Sequence, residues 1–188
     1  VVPPGASGAA MFAASELRDY LSRVSRATFE VTSTVPGMPP RIFLGDCEQA
    51  RAKGLYMTAL KPDGFYRAVV DGDLYILGRD DPDKRWTRGS WDFLNKEHGT
   101  QNGVYDLLED VCGVRWFMAG PHGEVVPQRA VLSMPRAVVR DEPAFLDRRL
   151  NQFNLHHYHY AKLDADEHAP GKTKDAWAEP DRELWGVR

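Results

Sequence analysis

The sequence predicts an α+β domain, and three observations carry that class. Two segments place apolar residues at the helical period, two β-rich runs are joined through Val70-Asp71-Gly72-Asp73, and further short apolar runs are set off by Pro, Gly or polar residues. The 188 residues suffice for one sizeable domain, followed at most by part of another. Hydrophobic residues at 43% against charged residues at 27% supply enough apolar material to bury a core.

The chain opens on Val1-Val2-Pro3-Pro4-Gly5, which lacks an initiator Met and the basic and apolar regions of a signal peptide, and reads as a processed or trimmed start. Ser7 is placed to cap a helix whose apolar positions are Ala10, Ala14, Leu17, Leu21 and Val24, with Glu16, Arg18, Asp19, Ser22 and Arg23 on the other face. Residues 28–35 alternate and are rich in β-branched side chains before Pro36-Gly37, the pattern of a strand and turn. Residues 41–45 form a short apolar run that predicts a buried strand, and residues 48–53 predict one or two helical turns ending near Gly54. Residues 65–70 and 74–78 predict a hairpin, because Asp71-Gly72 tolerates the positive φ angles of a tight turn. Residues 80–99 form a long connection carrying Trp86, Trp91 and Phe93, whose aromatic content predicts partial packing. Thr100 or Asn102 starts a second helix with Val104, Leu107, Leu108 and Val111 on one face, and Gly113 suits the left-handed position just past its end. Strands are then predicted at residues 114–118, 130–134 and 137–140. Composition changes at Glu142-Pro143, which divides the chain into an α/β domain at 1–142 and an extension at 143–188. Within that extension, residues 145–155 could open a new domain with a strand, and residues 161–188 are polar and weakly periodic.

Charge and motifs narrow the function classes. A formal net charge of -3 leaves no basic excess to drive phosphate binding, so nucleic acid is not an expected partner. No apolar run approaches the roughly 20 residues of a membrane-spanning helix. The Gly-rich dinucleotide fingerprint, the P-loop, the Gly-x-Ser-x-Gly elbow and the His-Glu-x-x-His zinc helix are all absent from the sequence, and no cofactor is expected. Cys47 and Cys112 are too few and too far apart for a zinc motif, and buried free thiols are the plainer reading beside a single bridge.

Several residues offer chemistry. In His156-His157-Tyr158-His159-Tyr160, a strand would put His157 and His159 on one face, as metal ligands or sugar-binding donors. Metal binding is the minor reading, since a site needs further ligands and an ordered second shell. Asp71 and Asp73 form a carboxylate pair of the kind that runs glycoside hydrolysis, but turn chemistry accounts for both and a hairpin tip is seldom dry enough to raise a carboxyl pKa. Trp86, Trp91 and Phe93 could stack on sugar rings, with packing of the connection onto the sheet the simpler account. Asp164, Asp166 and Glu167 lack the spacing of a calcium loop and read as a solvated acidic face.

The order of elements and several strings resemble one family. Ser15-Glu16-Leu17-Arg18-Asp19-Tyr20-Leu21, Arg41-Ile42-Phe43-Leu44-Gly45, the hairpin from Gly64-Phe65 to Leu77-Gly78, Gly99-Thr100-Gln101-Asn102-Gly103-Val104-Tyr105-Asp106-Leu107-Leu108-Glu109-Asp110 and Gly113-Val114-Arg115-Trp116-Phe117 are similar to the N-terminal α/β domain of family 67 α-glucuronidases and related bacterial glycoside-hydrolase-like proteins. The same domain type precedes the barrel in β-N-acetylhexosaminidases. The similarity covers about residues 6 to 149, supported by Gly123-Glu124-Val125-Val126-Pro127 and Pro143-Ala144-Phe145.

The resemblance implies a mixed, mainly antiparallel sheet with two main helices on one face, of the zincin-like or hexosaminidase N-terminal type. It makes Tyr105, Glu109, Gly113, Arg115 and Trp116 architectural. It also implies a catalytic barrel further along the family's chain, and the roughly 40 residues after Pro143 are far short of its ~200 or more, so no catalytic residue is carried over. On the same analogy, residues 145–160 would enter the barrel's first strand and place His156, His157 and His159 near its C-terminal end, where barrel sites form. The connection at 80–99 is longer than the family's usual link. The expectation is a non-catalytic accessory domain of a bacterial, exported glycoside hydrolase, secreted or periplasmic, meeting carbohydrate through the parent's catalytic domain. The candidate substrate contacts are His156, His157, His159, Trp86 and Trp91. Two rivals are a stand-alone carbohydrate-binding or interaction module built on the same side chains, and a small metal-dependent hydrolase using the histidines.

Overall fold

A computed structural model describes residues 1–82, 97–118 and 121–145 of the chain. Helix α1 spans Gly8–Ser25 and starts where predicted: Ser7 Oγ accepts the Ala10 amide at 3.0 Å. It ends at Arg26, whose left-handed backbone (φ 61°) lets its N–H reach the Ser22 carbonyl. Strand β1 is Ile42–Leu44, α2 is the short turn Glu48–Arg51, and a 3-10 turn follows at Met57–Ala59. Strands β2 (Phe65–Val70) and β3 (Asp73–Gly78) form the expected hairpin, with Asp71 and Gly72 both at positive φ, 51° and 85°. Helix α3 spans Gly99–Asp110, and Gly113 past its end sits at φ 76°. The short strands β4 (Arg115–Trp116) and β5 (Glu124–Val125) flank a 3-10 turn at Pro121–Gly123, and β6 is Val138–Asp141.

The protein is an α+β fold with a mixed sheet of order β1-β3-β2-β6, parallel between β1 and β3 and antiparallel elsewhere, plus a separate β4–β5 ribbon. Alternation along the strands sorts the side chains onto two faces. Leu44, Leu74 and Ile76 meet α1 and α3 in a core with Leu17, Leu21, Val104, Leu107 and Leu108. Phe43, Ala68, Tyr75 and Leu77 point the other way, under a cover of Cys47, Ala50 and Leu55. Every residue of β3 is buried, as expected for a strand with a layer on each face. The two cysteines are free and buried on opposite faces of the sheet, which excludes a bridge between them.

Some strands differ from expectation, each for a visible reason. Residues 28–35 form no strand, because Val1 occupies the outer edge of β1: its amino group donates to the Ile42 carbonyl at 2.6 Å and its carbonyl accepts from Leu44 at 2.9 Å. Thr32 meets only the next residue of that lead, accepting from the Val2 amide. Residues 130–134 run as irregular chain, with Leu132 and Met134 packed onto the helical layer rather than beside a sheet edge. At residues 114–118, only Arg115 and Trp116 enter a ladder, because the 3-10 turn at Pro121–Gly123 reverses the chain after two pairs. The partner strand β5 is a strand that sequence pattern did not reveal. The α3 cap also differs: neither Thr100 nor Asn102 caps it, the helix begins at Gly99 after His98, and His98 makes no side-chain cap bond.

Two of the close glycine approaches set how α3 meets the sheet. A Cβ on Gly103 would lie 2.8 Å from Ile76 Cγ2 and 3.0 Å from Phe65 Cδ2, so this glycine sets how tightly α3 presses on the sheet. At Gly78 it would lie 1.9 Å from the Gly99 carbonyl carbon, backbone against backbone, with nothing free to move aside. Chemical denaturation of three variants should therefore rank them. Gly37→Ala, with no atom within 4 Å, should stay within about 0.5 kcal/mol of the parent. Gly103→Ala should lose about 1–2 kcal/mol despite alanine's better helix propensity. Gly78→Ala should lose the most, and equal losses at all three positions would contradict the close-contact account.

Candidate functional site

A buried carboxylate, Asp80, 9% exposed, lies just beyond the end of β3. Its Oδ1 accepts the Thr100 amide at 2.8 Å, and its Oδ2 accepts the Thr100 hydroxyl at 2.7 Å and the Ser7 hydroxyl at 2.8 Å. Thr100 Oγ1 in turn accepts from the Gly78 amide at 3.0 Å. One carboxylate thus joins the N-cap of α1, the first turn of α3 and the end of β3, where the positive ends of two helix dipoles suit an acceptor. Burial pushes the Asp80 carboxyl above the ordinary range, against the Thr100 and Ser7 hydrogen bonds, which pull it down. Nearby, His98 donates its amide to Asp63 Oδ1 at 2.8 Å, and the Asn102 side chain donates to the Asp63 carbonyl at 3.0 Å.

An open cleft of about 380 Å³ reaches this region, lined by Met57, Thr58, Arg79, Asp80, Asp81 and Glu97 among others. Arg79 and Glu97 pair across it at 2.7 Å. Both Asp80 oxygens are already engaged by fold donors, so this carboxylate holds elements together and is poorly disposed to take a proton from a ligand.

Other charges within the layers are also committed to partners. Arg67, 5% exposed, points from β2 toward α3, with Nε 2.8 Å from Asp106 and Nη2 2.7 Å from Asp110. Burial pushes the Asp106 carboxyl up, with the Arg67 charge pulling against it. Asp73 accepts from the Arg41 backbone amide at 2.9 Å and from its guanidinium Nη2 at 2.6 Å, and these bonds hold its carboxyl below the ordinary range. The carboxylate pair of the hairpin is therefore split. Asp71 is exposed and pairs with Lys53 at 2.6 Å, while Asp73 is 2% exposed, drier than its place at a turn suggested. The pKa of Asp73 nevertheless moves down, away from that of a general acid.

The residues singled out by the family resemblance meet at a seam. Tyr105 Oη donates to Glu16 Oε2 at 3.0 Å, and the Trp116 indole N–H donates to Tyr20 Oη at 2.8 Å. Tyr20 Oη donates to Glu124 Oε1 at 3.0 Å, and Arg23 Nη1 reaches Glu124 Oε2 at 2.9 Å. The Trp116 ring meets Tyr20 and Tyr105 edge to face, with centroids 5.4 and 5.2 Å apart. Arg115 donates to the Glu109 carbonyl at 2.6 Å and the Val114 carbonyl at 2.7 Å, closing the C-terminal end of α3 beside Gly113. The seam ties α1, α3 and the β4–β5 ribbon together.

The substrate candidates Trp86, Trp91, His156, His157 and His159 lie outside the described residues, as do Phe93 and the acidic group Asp164, Asp166 and Glu167. Among the described residues, no three His, Cys, Asp or Glu side chains are grouped to hold a metal ion, and no helix is long and apolar enough to cross a membrane. Sequence reading missed Asp80, hidden in the polar run Arg79-Asp80-Asp81-Pro82, and Arg67, whose inward position follows from strand alternation with Phe65 and Val69. No protein-family model matches the chain, and no curated protein matches it.

These ties give opposite pH signatures. Folded Asp80 holds its proton more tightly than a carboxyl with the ordinary value of 3.8. Stability therefore falls as pH rises from that value through the folded one, and Asp80→Asn should remove this fall. Asp73 titrates below 3.8 when folded, so its contribution is full above that value and is lost as pH drops through the folded one. Asp73→Asn should remove that acid loss. Urea midpoints of the three proteins measured over roughly pH 2 to 8 test both signs, and parallel curves would contradict the assignment. At neutral pH, Asp80→Ala should cost about 2–4 kcal/mol by orphaning three donors at the starts of two helices. Tyr20→Phe should cost about 1–2 kcal/mol by leaving the Trp116 indole without its acceptor, an effect that Tyr56→Phe, at an exposed position, should lack.

Proposed function

We propose that this chain is the non-catalytic N-terminal accessory domain of a bacterial glycoside hydrolase acting on polysaccharide or oligosaccharide. In this reading it has the hexosaminidase N-terminal type of fold, and it works outside the cytoplasm. The observation that carries the reading is the Tyr20-Tyr105-Trp116 seam. Within the string most specific to the resemblance, residues 105–117, Tyr105 and Trp116 spend their rings and polar atoms on joining α1, α3 and the ribbon. That is the work of a scaffold. The mixed sheet with both long helices on one face supports the finer fold type. Asp80 and Asp73, both already engaged by fold donors, support a supporting rather than a reacting role.

In this reading the domain stabilises the parent enzyme and provides a rigid wall beside its substrate cleft, while the reacting carboxylates belong to the barrel. The test is to express the natural gene product of the source organism in full, alongside residues 1–188 alone, and to assay both for release of reducing sugar from plant and bacterial polysaccharides. The expected result is hydrolysis by a longer product and none by residues 1–188. A natural product ending at Arg188 would overturn the reading. Glycan binding by that short product would then favour a stand-alone module, and chelator-sensitive hydrolysis would favour a metal-dependent enzyme.

A further inference from the structure

We draw no further inference here: the strongest candidate, the exposed apolar surface of Phe117, Met118 and Val125 on the β4–β5 ribbon, has nothing in the structure to show what covers it.

Discussion

The fold depends first on how Asp80 is held. A sheet of four short strands cannot fix two helices by apolar contact alone, because hydrophobic packing is non-directional and tolerates sliding. Asp80 adds direction. Its two oxygens take donors from Ser7 and Thr100, so the starts of α1 and α3 are set against the end of β3 at one point. Burying a carboxylate there is costly, and three hydrogen bonds with two helix N-termini offset that cost. The same site explains why α3 needs no cap of its own: the acceptor for its first-turn amide comes from the end of the preceding strand, 20 residues earlier.

The remaining interior charges follow the same logic at other junctions. Arg67 spans from β2 to α3 and answers two carboxylates one helical turn apart, while Arg41 and Asp73 join the start of β1 to the start of β3. Such pairs add little net stability against apolar replacements of the same shape, yet removing one partner strands the other. Their positions therefore report register. Asp73 beside Arg41 fixes the parallel β1–β3 pairing, in which Ile42 lies opposite Leu74. A one-residue slip would turn the side chains of β1 to the wrong layers.

Much of this was legible locally and little of it globally. Ser7 as a cap, Asp71-Gly72 as a tight turn, the Val104-Leu107-Leu108 stripe and Gly113 as a left-handed stop all act through neighbours in sequence, and each stands where its pattern predicted. Residues 28–35 failed for the converse reason. Their β-branched alternation is a real preference, but a strand needs a free edge, and Val1 had already taken it. Strand β5 is only two residues long and has no period to read. Asp80 and Arg67 escaped because a charged residue in a sequence carries no mark of burial, and their partners lie 20 to 73 positions away.

The seam is built of side chains that satisfy one another across elements. Indole N–H, phenol and carboxylate form a closed chain from Trp116 through Tyr20 to Glu124, with Arg23 satisfying the far oxygen. Tyr105 meets Trp116 from the other side and anchors to Glu16. Each member constrains the size and polarity of the next, although the members come from separate elements. A reacting group needs the opposite condition, an atom left available to something outside the fold. Residues that satisfy one another this fully mark where the domain is joined.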